Sequence, residues 1–404
     1  MASKRFQVTW KTVLLPVLGL LAFFLYLLIF DVDIPKIIAT AQDMNLSVYS
    51  LAIIAVILDT FFFALSWRSL LNFLSVKLSI LKSYLYVWFG IFMNILIPAE
   101  SISGDISRIY LVTREQNGTS GKVVASLVAH RILGMGINVV SLFLGILVLF
   151  MERSVTGLVL NLTLFIIFVT TISLLLLILF SVKENWTLKI IDAALRFVEY
   201  VSRGKWKLTK FRDDVVEAAR IFHGSMKEFG RAPRAFFKSL SLLIVSWFLN
   251  LGVSYFVFLS IGFPIHWSVI IITCSIVTAV GSVPLGVPFE AGLPEITMST
   301  LYILLGVRPD VGATATILIR LLTLWLRFFI GFGVQQWLGI KAMTVMKTNN
   351  KSAISKTQKT KSIFPRNLIK DALTPRKDSE LLVKHLNRLH QNLDTEKLES
   401  LGIY

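Results

Sequence analysis

The sequence predicts an all-α polytopic membrane protein. The chain of 404 residues is 55% hydrophobic and only 16% charged, with a mean hydropathy of +0.72, whereas a soluble domain of this size carries more charge. Apolar runs of about 20 residues, enough for a helix to cross a bilayer, recur at 12–30, 48–67, 123–150, 158–182, 236–261 and 312–338. Two further apolar regions, 84–111 and 267–305, are interrupted by prolines and acids, so we predict hairpins there.

Charge placement predicts how these elements cross the membrane. The run 12–30 follows Lys4, Arg5 and Lys11 and lacks a small-residue cleavage site, which predicts a retained first helix with a cytoplasmic N-terminus. The linker 183–235 and the tail 341–404 are rich in Lys and Arg and are predicted to be cytoplasmic as well.

That topology requires each interrupted region to enter and leave on one side, and the two regions to enter from opposite faces. The membrane domain, 1–340, is therefore predicted to contain inverted repeats of helix, re-entrant hairpin, helix. Repeat 1 covers about residues 48–150 and repeat 2 about residues 236–340.

The basic residues are concentrated between the apolar runs and in the tail. The net charge of +17 is therefore explained by topology and anionic lipid, and not by nucleic acid. The linker alternates apolar and basic residues and predicts amphipathic helices on the cytoplasmic interface, while the tail predicts a flexible polybasic segment with one short amphipathic helix. The single cysteine, Cys274, excludes an intrachain disulfide.

The two interruptions resemble each other. Pro98-Ala99-Glu100 is followed five residues later by Asp105, and Pro288-Phe289-Glu290 is followed five residues later by Glu295. Acids are costly at membrane depth, which favours a role in ion pairing or in binding a coupling proton. The plainer alternative is that all four acids cap helices or lie in solvated turns. The residues predicted to break the hairpins are Pro98, Gly104, Pro284, Pro288 and Gly292.

Arginines follow both hairpins inside apolar helices. These are Arg131 and Arg320; Arg327 lies two turns beyond Arg320, on the same face of an uninterrupted α-helix. A guanidinium group donates two parallel hydrogen bonds to a phosphate or a carboxylate. Two interpretations stay open, namely a structural ion pair with a hairpin acid and a binding site for an anionic lipid headgroup. We predict that Glu290 or Glu295 pairs with Arg320 when no lipid is bound.

Two neighbouring residues carry weaker signals. Arg108 lies three residues after Asp105 and is assigned to the same headgroup site, although a weak local salt bridge explains the spacing equally well. His130 precedes Arg131 and is either a hydrogen-bonded helix residue or a proton carrier.

The segment from Asn94 to Leu111 resembles the first signature of the flippase-like membrane domain of lysylphosphatidylglycerol synthases, which contains an asparagine, a proline, a Gly-acid pair and an arginine. The segment from Pro288 to Glu295 is similar to a later Pro-Gly-Gly element of that family, and Arg320 stands where its following arginine does.

The sequence departs from these signatures in three places. Phe289 and Glu290 replace two glycines, and Gly134 stands where an acid is expected. The resemblance covers most of residues 10–340, with stand-alone, often archaeal, members the nearest in type. It implies a lipid-translocating domain, and the polar tail does not match the aminoacyl-transferase domain that follows in the synthases.

These observations predict a lipid flippase or scramblase in the cell membrane, without a cofactor, that moves an anionic phospholipid or a polyprenyl-phosphate-linked lipid. One alternative is a polyprenyl-phosphate glycosyltransferase that uses Asp31 and Asp33 to bind a metal, although the two acids also fit a solvated helix end. Another is a non-catalytic subunit whose basic tail recruits a cytoplasmic transferase. The segment Gly118–Lys122 lacks the full P-loop spacing, so the sequence predicts no ATPase.

Overall fold

The computed structural model describes residues 42–97, 102–151, 157–201, 209–231, 233–281 and 292–339, together with Pro35 and Ala39. The chain divides into two compact units, Met1–Gln336 and Trp337–Tyr404, and the second is described only at 337–339. The described residues do not include the first apolar run (12–30), Asp31, Asp33 or the tail 341–404. They also leave out these hairpin residues: Pro98, Glu100, Pro284, Pro288 and Glu290.

The described residues form α-helices joined by short connections. In chain order these are α1 (Leu46–Phe73), α2 (Ile80–Leu96), α3 (Ile102–Glu115), α4 (Ser120–Met151), α5 (Gly157–Val182), α6 (Glu184–Val201), α7 (Thr209–Arg231), α8 (Pro233–Ser260), α9 (Trp267–Gly281), α10 (Leu293–Leu304) and α11 (Pro309–Arg320). A π-helical turn, Leu321–Leu326, continues α11, and the whole apolar helix is Pro309–Gly339.

Five of these helices are long and apolar enough to cross a membrane, namely α1, α4, α5, α8 and Pro309–Gly339. They confirm the prediction of an all-α, multi-pass membrane protein. The two apolar hairpin arms α2 and α9 have only 17 and 15 residues. A helix needs about 20 residues to cross the hydrocarbon core. The arm α2, which ends at Leu96, is therefore too short to cross it, as the interrupted apolar region predicts, whereas residues 282–291 after α9 lie outside the described part of the chain.

Local sequence explains where several helices begin and end. The side chain of Asn45 accepts a hydrogen bond from the Val48 amide at 3.2 Å and so caps α1. Ser79 caps α2 in the same way through the amide of Lys82. Gly262 follows the end of α8 at φ = +73°, a conformation that favours glycine.

The helices α1 and α8 pack antiparallel over most of their length. As the residue number on α1 rises from 45 to 66, that of its partner on α8 falls from 260 to 239. The contacts are the Asn45 amide donating to the Ser260 carbonyl at 2.8 Å, the Ser246 hydroxyl donating to Asp59 at 2.5 Å, and the hydroxyls of Ser66 and Ser239 at 2.6 Å.

This antiparallel pair gives the two repeats opposite directions. Each long helix leads through a short loop into a hairpin, α2–α3 after α1 and α9–α10 after α8, and each hairpin is followed by another long helix. The first hairpin returns to its starting side, since Lys82 forms an ion pair with Glu115 at 2.8 Å and Gln116 donates to the Lys77 carbonyl at 2.8 Å. The hairpins therefore begin at opposite ends of the α1–α8 pair.

The linker helices α6 and α7 occupy the region for which the sequence predicts amphipathic helices. In α7, however, Phe222 and Phe229 pack against the protein and not onto a lipid interface. Gly121 on α4 permits this close approach, because a Cβ atom there would lie 2.4 Å from the carbonyl oxygen of Ala218. The buried residues that complete this cluster are Leu70 on α1, Leu74 directly after it, and Ala125 and Ala129 on α4.

Candidate functional site

The first hairpin is held together by Asn94. Its side-chain oxygen accepts hydrogen bonds from the Gly104 amide at 2.6 Å and from the Ser103 hydroxyl at 2.9 Å. Gly104 lies inside the first turn of α3, and a Cβ atom there would lie 2.5 Å from the carbonyl oxygen of Gly90 on α2. Gly104 therefore allows the two arms to touch and, contrary to the sequence prediction, does not break the helix.

This contact positions an ion triad on α3 and α4. Asp105 accepts a hydrogen bond from Arg108 at 2.5 Å through one carboxylate oxygen and from Arg131 at 3.3 Å through the other. The Arg108 side chain is only 9% exposed, and its guanidinium carbon lies 5.2 Å from the ring centre of Trp67. The Arg131 side chain is 38% exposed. One carboxylate is shared by two guanidinium groups, so the triad has one excess positive charge.

The triad forms the charged end of a cavity of about 490 Å³. His130 and the uncharged Asn138 lie beside it on α4, and Gly134, which has no atoms within 4 Å of its Cβ position, leaves the space between them open. The other lining residues are apolar or uncharged: Phe63, Val87, Ile91, Asn94, Leu127, Met135, Val169, Thr170, Ser173, Leu243, Thr278 and Ala279. Val169 and Ser173 are exposed, so the cavity borders the outer surface of α5.

Several buried polar atoms at this cavity have no hydrogen-bond partner among the described residues. They are Nε and Nη1 of Arg108, Nε2 of His130 and Oδ1 of Asn138. A buried donor or acceptor without a partner costs about 1–3 kcal/mol. These residues therefore contain both donors and acceptors without a partner, although the atoms themselves are buried behind the cavity wall.

The second repeat contains an equivalent ion pair. Glu295 on α10 accepts a hydrogen bond from Arg320 at 2.6 Å, and its other oxygen accepts from the amide of Gly292 at 2.7 Å. The two side chains are 2% and 13% exposed. The pair agrees with the prediction for Arg320 and also caps α10, where Gly292 has φ = +98°. The partners are 25 positions apart, compared with 26 for Asp105 and Arg131.

Sequence reasoning missed Asp59, which pairs with Arg327 at 2.7 Å. Asp59 is the one charged residue in the apolar run 48–67, and that isolation was the available signal. The predicted common face of Arg320 and Arg327 is wrong, because the π-helical turn between them changes the angle per residue. Arg320 therefore contacts α10 while Arg327 contacts α1, and neither lines the cavity.

Comparison with known proteins identifies the family of this chain. The family model for the lysylphosphatidylglycerol synthase TM region matches residues 13–331, a span that includes repeat 1, most of repeat 2 and the residues that line the cavity. A UPF0104 membrane protein of Pyrococcus horikoshii is 25% identical over 287 residues, which are 70% of this chain and 84% of that protein. No solved structure matches the chain significantly. The protein described here therefore belongs to the family of the lysylphosphatidylglycerol synthase transmembrane region.

Proposed function

We propose that this protein translocates lipids with an anionic headgroup, either phospholipids or polyprenyl-phosphate-linked lipids, between the two leaflets of the cell membrane. The observation that carries the proposal is the cavity in which Arg108 and Arg131 share the single carboxylate of Asp105. An excess positive charge inside a helical membrane protein is costly unless an anion offsets it. A lipid phosphate is the anion that the surrounding bilayer supplies.

The two arginines have complementary parts in this proposal. Arg131 is the more exposed and makes the longer bond to Asp105, so it is the first group available to an incoming phosphate. Arg108 is more deeply buried, and its positive charge is the one that leaves the site with an excess charge of +1. Because the cavity wall is mainly uncharged and borders α5, the acyl chains remain in the bilayer while the headgroup enters.

The inverted repeats supply a route for alternating access. Their hairpins begin at opposite ends of the α1–α8 pair, so rocking one repeat against the other would open the site first to one leaflet and then to the other. With both termini cytoplasmic, as the positive-inside rule predicts, the loop before α2 faces the cytoplasm and the loop before α9 faces the opposite side.

The test is translocation of fluorescent lipid in vesicles reconstituted with purified protein. Arg131→Gln removes the charge and keeps a shorter polar side chain. We expect the initial rate for an anionic lipid to fall at least about tenfold, since a hydrogen bond to a charged group contributes about 1.5–3 kcal/mol. The matched control is Arg196→Gln, an exposed arginine that pairs with Asp192 on α6, and its rate should equal that of the wild type.

The vesicles should contain, in separate experiments, an anionic phospholipid, a zwitterionic phospholipid or a polyprenyl-phosphate-linked sugar. Equal rates for wild type and Arg131→Gln with all three lipids would refute the headgroup site. Wild-type rates no greater than those of protein-free vesicles would refute translocation itself.

A further inference from the structure

The two repeats differ in charge three positions after the hairpin acid. In repeat 2, Glu295 pairs with Arg320, and the residue three positions after the acid is the buried Met298. In repeat 1, the residue three positions after Asp105 is Arg108. Repeat 1 therefore combines one acid with two arginines, and these three residues line the cavity together.

We infer, on the basis of the proposed function, that this site accepts a headgroup with a single negative charge, a phosphodiester, and rejects the dianion of a phosphomonoester, and that Asp105 sets this limit. Free polyprenyl phosphate is such a monoester, whereas a polyprenyl-phosphate sugar is a diester. The inference thus selects among the lipids of the proposed class.

The reason is the charge of the occupied site. Asp105, Arg108 and Arg131 together carry one positive charge, which a phosphodiester neutralises. A dianion would leave one negative charge buried in the cavity, at a cost that burial in a low-dielectric region makes large. Protonating either the lipid phosphate or Asp105 would remove that charge, so a monoester should enter only together with a proton.

Among the described residues, the groups facing Asp105 come from three helices. Arg108 lies on α3 itself, and α4 contributes Arg131 and His130. The hairpin arm α2 contributes the uncharged Asn94. The next acid on α3, Glu115, is about 15 Å further along the helix. Its carboxylate accepts hydrogen bonds there from the side chains of Lys82 and Tyr86.

The experiment compares phosphatidic acid, a phosphomonoester, with phosphatidylglycerol, a phosphodiester, in the same wild-type vesicles. The second pKa of a phosphomonoester is about 6, so phosphatidic acid is mainly a monoanion at about pH 5 and a dianion at about pH 8.5. Phosphatidylglycerol keeps one charge throughout and serves as the internal standard. We expect the rate for phosphatidic acid, divided by the rate for phosphatidylglycerol, to fall at least about tenfold as the pH rises from about 5 to about 8.5.

The variant Asp105→Asn raises the charge of the three-residue site to two, so a dianion would now be neutralised. Its rate ratio should stay constant or rise with pH. The matched control is Asp192→Asn, because Asp192 also pairs with two arginines, Arg196 and Arg212, but lies on α6 outside the cavity. This control should reproduce the wild-type ratio.

The outcomes distinguish a failure of the charge limit at Asp105 from a failure of the proposed translocation function. A wild-type ratio that does not change with pH would overturn the charge limit while translocation stands, and this measurement requires no variant to fold. An Asp105→Asn ratio that falls as in the wild type would overturn the role of Asp105. Absence of wild-type transport for both lipids would instead refute the proposed function.

A water-soluble phosphate ester offers the same chemistry as a lipid headgroup. Radiolabelled sn-glycerol 3-phosphate should therefore be offered to the same vesicles at both pH values. We expect no uptake above protein-free vesicles, since the cavity borders the apolar surface of α5. Uptake that depends on Arg131 would overturn the assignment of a lipid headgroup to this site.

Discussion

At the residue scale, Arg108 is enclosed by uncharged groups on two sides. Its guanidinium group lies over the indole ring of Trp67, and a Cβ atom on Gly90 would come within 3.2 Å of its Nε atom. The flat guanidinium group suits this slot, because arginine stacks on aromatic rings and is weakly hydrated compared with lysine. Only one of its nitrogen atoms, Nη2, reaches Asp105, which leaves positive charge at the cavity.

Replacing Arg108 by methionine should make repeat 1 resemble repeat 2, where Met298 occupies the equivalent place. Methionine can lie on Trp67, and Asp105 would then pair with Arg131 alone. We expect the rate for an anionic lipid in the vesicle assay to fall at least about tenfold, because the excess charge is gone. The rate for a zwitterionic lipid should not change.

The control for that variant is Arg114→Met on the same helix, where the side chain is exposed. It should transport anionic lipid at the wild-type rate. If Arg108→Met retained the wild-type rate for anionic lipid, the excess charge would have no part in transport.

At the element scale, a buried polar contact joins the two repeats. Asp59 on α1 accepts hydrogen bonds from Ser246 on α8 and from Arg327, which follows the π-helical turn Leu321–Leu326. Three helices therefore meet at one carboxylate. A π-helical turn inserts extra residues per turn and often occurs at functional sites. Here it allows Arg320 and Arg327, seven positions apart, to contact acids in different repeats.

Asp59→Leu should destabilise the protein because it leaves Arg327 buried without its acid. Removing one member of a buried pair costs about 3–5 kcal/mol. For a chain of this size we expect the apparent melting temperature in detergent to fall by about 4–6 °C. The double variant Asp59→Leu/Arg327→Met removes both charges and should recover most of the loss. A double variant as unstable as Asp59→Leu would show that packing, and not charge, determines the stability of this contact.

At the scale of the whole molecule, the antiparallel α1–α8 pair decides which loops share a side. The loop before α2 contacts the loop after α3, whereas the loop after α10 belongs to the hairpin that begins at the opposite end of the pair. The described helices thus place the starts of the two hairpins at opposite ends of this pair. Its position in the membrane can be measured by labelling.

Single cysteines at Asn117 and Arg308, both exposed, should react with a membrane-impermeant maleimide from opposite sides of the membrane in a Cys274→Ser background. Their loops lie at opposite ends of the α1–α8 pair, which is the reason for this expectation. A cysteine at Lys77 is the control, because the Lys77 carbonyl is hydrogen-bonded to Gln116 and so must share the side of Asn117. Accessibility of Asn117 and Arg308 from one side would contradict opposite entry of the hairpins.

The sequence predicts the membrane class and the long helices of the described residues correctly, and the described arms of both hairpins agree with its interrupted regions, because each depends on hydrophobicity within a short segment. It predicts less about the site. Asp59 escaped notice although it is alone in its apolar run, and Gly104 was assigned to a helix break although it serves a close contact between helices. The prediction that Arg320 and Arg327 share a face assumed a regular α-helix between them. The structure has a π-helical turn there, at Leu321–Leu326.

By itself, the sequence determined that this chain is a multi-pass membrane protein with two hairpins, acids beside them and arginines after them. Hydropathy and helix-breaking residues are local properties, so no contact between distant segments is needed to detect them. Only the tertiary structure decided that Arg108 and Arg131 share Asp105, whereas Arg320 and Arg327 contact Glu295 and Asp59 respectively. These pairings join positions up to 268 residues apart, and the net charge around each arginine depends on which helices pack together.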